Sequence, residues 1–322
     1  MSAPFDILEL GALQEVLRPN MVIAAVRDAL IRHARGEVMS PLPIQMLFDN
    51  PKGDCHIKAG MFSGSDRFIA KVATGFYDNP GRGLPVNDGL VLVFDSNTGR
   101  PQALLRDEGW LTSWRTAAAG ALAAEVGNMP KGTILGIVGS GHQARLQAEW
   151  TAVHAGIRSI RIFGRSSEKA DRLTAELVHA GFDAATVRSI EQLCAECRLI
   201  ISCTPASQSV IPASAVQPGT HIVALGADSL GKQELDANLF ARAGQIFVDS
   251  LEQCASHGDL RHAIDKGIIT KEETMLLGEA LVSRSRPIRP AGLISLVDLT
   301  GIVAQDIAIA TLALTETRSR QS

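Results

Sequence analysis

The chain has 322 residues, 46% hydrophobic and 20% charged, with 29 glycines and 14 prolines; this excludes a disordered or collagen-like chain and leaves ample interior for one or two globular domains. Lys and Arg total 31 against 34 Asp and Glu, a formal charge of −3, so no global basic field is present to hold nucleic acid or an anionic membrane. Five cysteines are an odd number, which excludes a complete disulfide framework and fits buried thiols in a reducing compartment.

The first 13 residues lack a basic region followed by an apolar one, and no lipidation signal closes the chain, so the expected address is the cytoplasm. Met21, Val22, Ala25, Val26, Ala29 and Leu30 recur at helical spacing and predict an amphipathic helix over Pro19 to Glu37. Pro41 to Asp107 breaks into short β-rich runs, Cys55 to Ala59, Phe68 to Ala73 and Leu90 to Asp95, divided by turn clusters such as Asp78-Asn79-Pro80-Gly81 and Ser96-Asn97-Thr98-Gly99. A mostly antiparallel sheet follows, whose alternating runs are unable to bury both faces alone. Thr116 to Val126 is dense in alanine and predicts a packed helix, ended by Gly127 and Pro130, that bridges two domains.

Beyond Lys131 strands are predicted near Thr133 to Val138, Ser159 to Phe163, Arg198 to Ser202, Thr220 to Leu225 and Gln245 to Asp249, with helical stretches between several of them. Such alternation calls for right-handed crossovers and a doubly wound parallel sheet. Cys194 and Cys197 form a C-x-x-C with no second pair at zinc-ribbon spacing, and read as buried thiols. Gln253 to Ile264 reads as an exposed helix or loop, so His257, Asp259 and His262 are not taken for a metal site, and no metal is expected. No G-x-S-x-G elbow is present for a serine hydrolase. A final apolar helix, Gly301 to Leu314, is interrupted by Gln305 and Asp306 and falls short of the roughly 20 apolar residues of a membrane span; it is expected to return to the first domain.

Gly139-Ser140-Gly141-His142-Gln143-Ala144 matches G-x-G-x-x-G/A directly after the apolar run Thr133 to Val138. The first glycine permits a tight turn, the second lets backbone approach a pyrophosphate, and Ala144 lets the following helix sit close to the sheet, its first N–H groups facing the phosphates. In that context the motif points to dinucleotide binding, with His142 equally suited to face cofactor or solvent. The next strand ends in Gly164-Arg165-Ser166-Ser167, where an NAD-preferring fold carries an acid for the ribose 2′-OH. Arg165 with Ser166 offers donors suited to a 2′-phosphate, so NADP(H) is favoured and NAD(H) is the alternative.

Leu111-Thr112-Ser113-Trp114-Arg115-Thr116-Ala117-Ala118-Ala119, the Gly139 to Ala144 turn, and Gly226-Ala227-Asp228 followed by Lys232-Gln233-Glu234-Leu235 together resemble the ornithine cyclodeaminase/mu-crystallin family over nearly the whole chain. The resemblance implies an α/β fold: a Rossmann-type domain with a doubly wound parallel sheet, residues 128–294, beside an α+β substrate and dimerisation domain formed by residues 1–127 and 295–322. It also implies a homodimer and chemistry at the carbon of an α-imino or α-amino acid. Residue by residue, Lys71 and Arg115 would contact the substrate, Arg115 clamping its carboxylate beside the nicotinamide, and Asp228 would be the acid/base residue. Thr116 and Ser140 to Gln143 would hold phosphates, while Thr204, Ala224, Leu225, Gly226, Leu299 and Thr300 would line the nicotinamide side. One departure stands out: members carrying Pro-x-Arg after the first helix have a substrate arginine where this chain reads Pro41-Leu42-Pro43-Ile44-Gln45. That contact is lost or replaced, with Lys58 the candidate.

Taken alone, Lys71 also reads as a sheet-edge lysine and Arg115 as a helix-start ion pair. Reduction of an imine needs a cation for the carboxylate, a hydride donor against the C=N carbon and a proton source for nitrogen; Arg115, a nicotinamide and Asp228 match these needs. The leading expectation is therefore an NAD(P)H-dependent reductase of an α-imino acid or cyclic ketimine. A cyclodeaminase that uses bound NAD+ as an internal oxidant, and a nucleotide-gated binding protein like mu-crystallin, are the alternatives.

Overall fold

Alternating side chains build the first sheet and continuous apolar runs the second. The computed structural model describes residues 5–282, 290 and 292–321; the first four residues of the N-terminal stretch read above, and Ser322, lie outside them. In chain order it contains β1 (Asp6–Glu9), α1 (Leu10–Val16), α2 (Pro19–Ala34), β2 (Val38–Met39), β3 (Ile44–Phe48), β4 (Gly53–Phe62), β5 (Arg67–Phe76), β6 (Asn87–Asp95), β7 (Pro101–Arg106) and α3 (Trp110–Val126). There follow β8 (Leu135–Val138), α4 (His142–Ala155), β9 (Ser159–Phe163), α5 (Ser167–His179), β10 (Asp183–Thr186), α6 (Ile190–Glu196), β11 (Leu199–Ser202), β12 (His221–Ala224) and α7 (Asn238–Arg242). The remainder is β13 (Ala243–Val248), α8 (Leu251–His257), α9 (Asp259–Asp265), β14 (Met275–Leu276), α10 (Leu277–Val282), β15 (Ile294–Asp298) and α11 (Val303–Gln321). The chain divides into two compact units, residues 1–116 with 302–322, and residues 117–301.

In the first unit the strand order is β1, β7, β6, β5, β4, β2, with β3 also paired to β4. β1 runs parallel to β7 and the other pairs are antiparallel. Cross-strand register sets Leu8, Leu105, Val91, Lys71 and Lys58 in one row on one face, and Ala103, Val93 and Ile69 in the next. All eight are buried. α11 packs on β4, β5 and α2, and α2 turns Val22, Val26, Ala29 and Leu30 inward; each fully buried Val or Leu side chain contributes about 1.5–3 kcal/mol. On the opposite face Ile57, Val72, Leu90, Leu92 and Leu104 are only half-buried, and Phe68 stacks on Phe94.

The second unit holds an all-parallel sheet in the order β10, β9, β8, β11, β12, β15, β13, β14. From β8 the chain winds outward through β9 and β10 and then returns to the other side of β8 as β11, which makes β8/β11 the topological switch point. β8, β11, β12 and β15 are buried throughout, as a sheet covered on both faces requires. His221 is a satisfied core histidine, its ring nitrogens 2.7 Å from Ser295 Oγ and 2.8 Å from the Ala123 carbonyl. Burial raises the Cys194 thiol to about 11 and the Cys197 thiol to about 12, leaving both neutral and packed behind β8.

The doubly wound parallel sheet and the mixed sheet are those the sequence implies; several local details differ. The alanine-rich helix begins at Trp110 rather than Thr116, because the Asp107 carboxylate accepts from Leu111 N at 2.9 Å and caps its first turn. Gln253 to Ile264 is not exposed: it forms most of α8 and α9, in which Gln253, Cys254, Asp259, Leu260 and Ala263 are buried. Lys71 is not at a sheet edge, since β5 lies between β4 and β6. β15 pairs with β12 and β13, so Ser295 to Asp298 lie in the parallel sheet and the second unit runs to Gly301. Among the described residues no helix is long and apolar enough to cross a membrane.

Candidate active site

At the end of β8 the chain turns through Gly139, whose N–H donates to the Phe163 carbonyl at 2.8 Å. Its φ is 131° and an added Cβ would sit 3.0 Å from the Cys203 carbonyl oxygen, so both conformation and space demand glycine. Gly141 differs. It has an extended conformation, caps α4 without a side-chain hydrogen bond, and an added Cβ would meet no protein atom within 4 Å. Packing does not demand a glycine there, and the missing side chain leaves the helix N-terminus open to close approach by a ligand. Buried Ala144 follows, and Gln143 presents a buried Nε2 with no partner. A Cβ at Gly164 would lie 2.9 Å from Ser140 Oγ, which packs the turn against the end of β9. Open space above a helix N-terminus and an unused amide donor fit a dinucleotide pyrophosphate.

Past β9, Arg165 is exposed. Ser166 caps α5, its hydroxyl oxygen accepting from Lys169 N at 3.3 Å, and its own O–H stays available as a donor. His142 is exposed at the start of α4. The remaining residues expected on the nicotinamide side lie at the carboxyl ends of β11, β12 and β15. Ala224, Leu225, Leu299 and Thr300 are buried. Buried carboxylates fix these loops: Asp249 accepts from Thr300 N and Oγ1, each at 3.1 Å, and from Gly301 N at 2.7 Å, while Glu234 holds Thr204 and Gly226. The Thr300 hydroxyl is thereby committed to the protein. Asp228, just beyond β12, keeps a side chain 45% exposed, with one carboxylate oxygen 2.6 Å from Lys232 Nζ.

In the first unit Asp306 of α11 gathers the cations. Its Oδ1 accepts from Lys71 Nζ at 2.8 Å and from Arg115 Nε at 3.0 Å. Arg115 also donates to Gln305 Oε1 at 3.0 Å, and Lys71 to Thr112 Oγ1 at 3.3 Å. Lys58 lies directly across the sheet from Lys71. Burial drives the Lys71 pKa down to about 7, an effect that outweighs the attraction of Asp306. The three cations hold Asp306 at about 2 against the upward pull of burial. Asp107 is buried nearby, and desolvation raises its carboxyl. Lys58, Lys71 and Arg115 thus gather around Asp306, and Gln305 Nε2 and Asp306 Oδ2 remain buried without hydrogen-bond partners. Grouped cations beside an unused amide donor can receive an anionic carboxylate. Thr116, one residue on, donates its hydroxyl to the Thr112 carbonyl at 2.9 Å.

Lys58, Lys71 and Arg115 therefore meet in one buried group, and the turn, Arg165 and the strand-end residues lie at the carboxyl end of the parallel sheet. Sequence reasoning did not find Asp306, Gln305, Glu234 or Asp249. For Asp306 the signal was present as the polar pair Gln305-Asp306 interrupting an apolar helical run; a buried acid there calls for a cationic partner.

A family model, the ornithine cyclodeaminase/mu-crystallin family, matches residues 7–321. An uncharacterized cyclodeaminase of Sinorhizobium fredii is 34% identical over 98% of this chain and 97% of its own length, and an iminosuccinate reductase of Paracoccus denitrificans is 34% identical over 78% of each. An archaeal alanine dehydrogenase dimer solved with bound NAD superposes with a TM-score of 0.90 at 28% identity, over 99% of this chain and 97% of that one. With its mixed sheet, its doubly wound parallel sheet and its glycine turn, the chain belongs to the ornithine cyclodeaminase/mu-crystallin family.

Proposed function

We propose that this protein is an NADPH-dependent reductase of an α-imino acid or cyclic ketimine, running in the reverse direction as an amino acid dehydrogenase. The coarser class, a nicotinamide-dependent oxidoreductase of C=N and CH–NH bonds, is that of its reductase and dehydrogenase relatives. The observation that carries the finer reading is the buried cationic group around Asp306, which suits an α-carboxylate.

When bound, the nicotinamide supplies a hydride to the C=N carbon. Arg115 and Lys71 hold the substrate carboxylate, fixing the carbon's position, and Lys58 adds to the positive field. Asp228 exchanges the proton of the substrate nitrogen. It gives a proton to the substrate nitrogen in reduction and takes the ammonium proton in the reverse direction, with Lys232 Nζ 2.6 Å from one of its carboxylate oxygens. The turn from Gly139 to Gln143 and Thr116 receive the phosphates. Arg165 and Ser166 stand where an acid would select NAD(H), and this favours NADP(H). The half-buried apolar face of the mixed sheet supports a homodimer, and a cytoplasmic address accords with the reduced thiols.

The test is to follow NADPH and NADH oxidation with a panel of imines formed from 2-oxo acids and amines, cyclic imines included, while assaying ammonia release from ornithine. Net NADPH oxidation on an imino acid supports the reductase. Ammonia release without net oxidation identifies a cyclodeaminase, and binding without either identifies a ligand-binding protein.

A further inference from the structure

Glu234 is wholly buried in the second unit, yet the chemistry above gives it no part. Its Oε1 accepts from Ser202 Oγ at 2.6 Å, Thr204 N at 2.6 Å and Thr204 Oγ1 at 2.8 Å, and its Oε2 from Gly226 N at 2.6 Å. Ser202 ends β11, Thr204 lies two residues past it, and Gly226 two residues past β12. One carboxylate therefore staples the loops leaving two adjacent parallel strands, beside the switch point where ligands of such sheets bind.

Both sides of the staple are tight. Cys203, next to Thr204, abuts the phosphate turn, its carbonyl oxygen 3.0 Å from where a Cβ on Gly139 would lie. A Cβ on Gly226 would overlap the Thr204 carbonyl and the Glu234 carboxylate. Glu234 is itself fixed by its backbone: its N–H donates to Asp259 Oδ1 at 2.8 Å, and its carbonyl accepts from Val210 N at 2.8 Å and Ile211 N at 3.0 Å. Burying a carboxyl group is costly unless donors converge on it. Here four do, and two are backbone N–H groups at strand ends.

We propose that Glu234 is a positioning residue which, through Thr204 and Gly226, sets the surface against which the nicotinamide ring lies, touching neither cofactor nor substrate. The assignment rests on the dinucleotide reading of the Gly139 turn. It separates the two ends of the cofactor: the nicotinamide end depends on Glu234, whereas the adenosine and pyrophosphate end depends on the Gly139 turn and the Gly164 to Ser167 segment.

The experiment compares NADPH with 2′-phospho-ADP-ribose, and NADH with ADP-ribose, by calorimetric titration of wild type and Glu234→Gln. The amide keeps the shape but sets N–H against N–H at one loop, so dinucleotide affinity should fall about tenfold or more, while each nicotinamide-free fragment binds within about twofold of wild type. An equal loss for dinucleotide and fragment would show general structural damage and overturn the proposal, as would no loss for either. Thr204→Val removes only the hydroxyl donor and should show the same selective loss at smaller size, which keeps the test available if Glu234→Gln does not fold. A wild-type protein that binds neither dinucleotide nor fragment would overturn the dinucleotide reading, and this assignment with it.

Discussion

Lys71 titrates at about 7 because burial strips its ammonium of water more effectively than Asp306 restores it. Two consequences run in opposite directions. A carboxylate ligand prefers the protonated form, so binding of an unreactive carboxylate competitor should weaken as pH rises through about 7, by at most about tenfold per unit. The unfolded lysine keeps its proton to about 10.4; below pH 7 the buried charge costs stability, and that cost fades as pH rises from about 7 toward that value. Titration calorimetry and urea unfolding between pH 6 and 9 should show both slopes, and Lys71→Met should flatten both. A competitor whose affinity ignores pH would remove Lys71 from the carboxylate site. At Asp228, replacement by Asn keeps the shape and removes the titrating oxygen; kcat should fall about 10²- to 10⁴-fold with NADPH affinity hardly changed. If cofactor binding is lost as well, Asp228 has a structural role. Lys71 and Arg115 were legible because each lies in a recognisable segment. Their shared partner was not, for Asp306 is 235 residues from Lys71 and 191 from Arg115, and only the fold brings it near.

The turn from β8 into α4 holds two glycines with different reasons to be glycine. Gly139→Ala meets a φ of 131° and the Cys203 carbonyl, so it should destabilise the fold by about 1–3 kcal/mol. Gly141→Ser has neither obstacle. Serine is a good N-cap, so stability should hold or rise by a few tenths of a kcal/mol, while its side chain enters the space meant for phosphate and dinucleotide affinity falls about tenfold or more. Urea unfolding and calorimetry on the two variants check the contrast; tight NADPH binding by Gly141→Ser would contradict the phosphate assignment. Elements with strong patterns were readable, and β9 falls where its apolar alternation placed it. β10, Asp-Ala-Ala-Thr, lacks the β-branched run that marks a strand and forms because β9 offers it an edge. The polar residues of Gln253 to Ile264 suggest exposure, yet in α8 and α9 several of them face inward: Asp259 accepts from Glu234 N and Leu235 N. Sequence polarity reports exposure only when the backbone has no use for the polar group.

At the scale of the molecule, the strand and helix alternation after residue 131 and the β-rich stretch before it were sufficient for two architectures. The place of β15 was not, since a strand that enters the parallel sheet between β12 and β13 leaves no local mark of its neighbours. The mixed sheet leaves Ile57, Val72, Leu90, Leu92 and Leu104 half-buried on its outer face. A homodimer covering that face should become monomeric in Leu92→Glu, which buries a charge at the contact, and light scattering at micromolar concentration reads the change. A wild-type monomer would refute the dimer. Hydride delivery to the carbon of an imino acid can be read by reducing an imine with NADPH deuterated at the transferred C4 position and locating the label by mass spectrometry and NMR. One deuterium should appear on the product's α-carbon for each NADPH oxidised. Product carrying only solvent hydrogen at that carbon, or formed without NADPH oxidation, would contradict it.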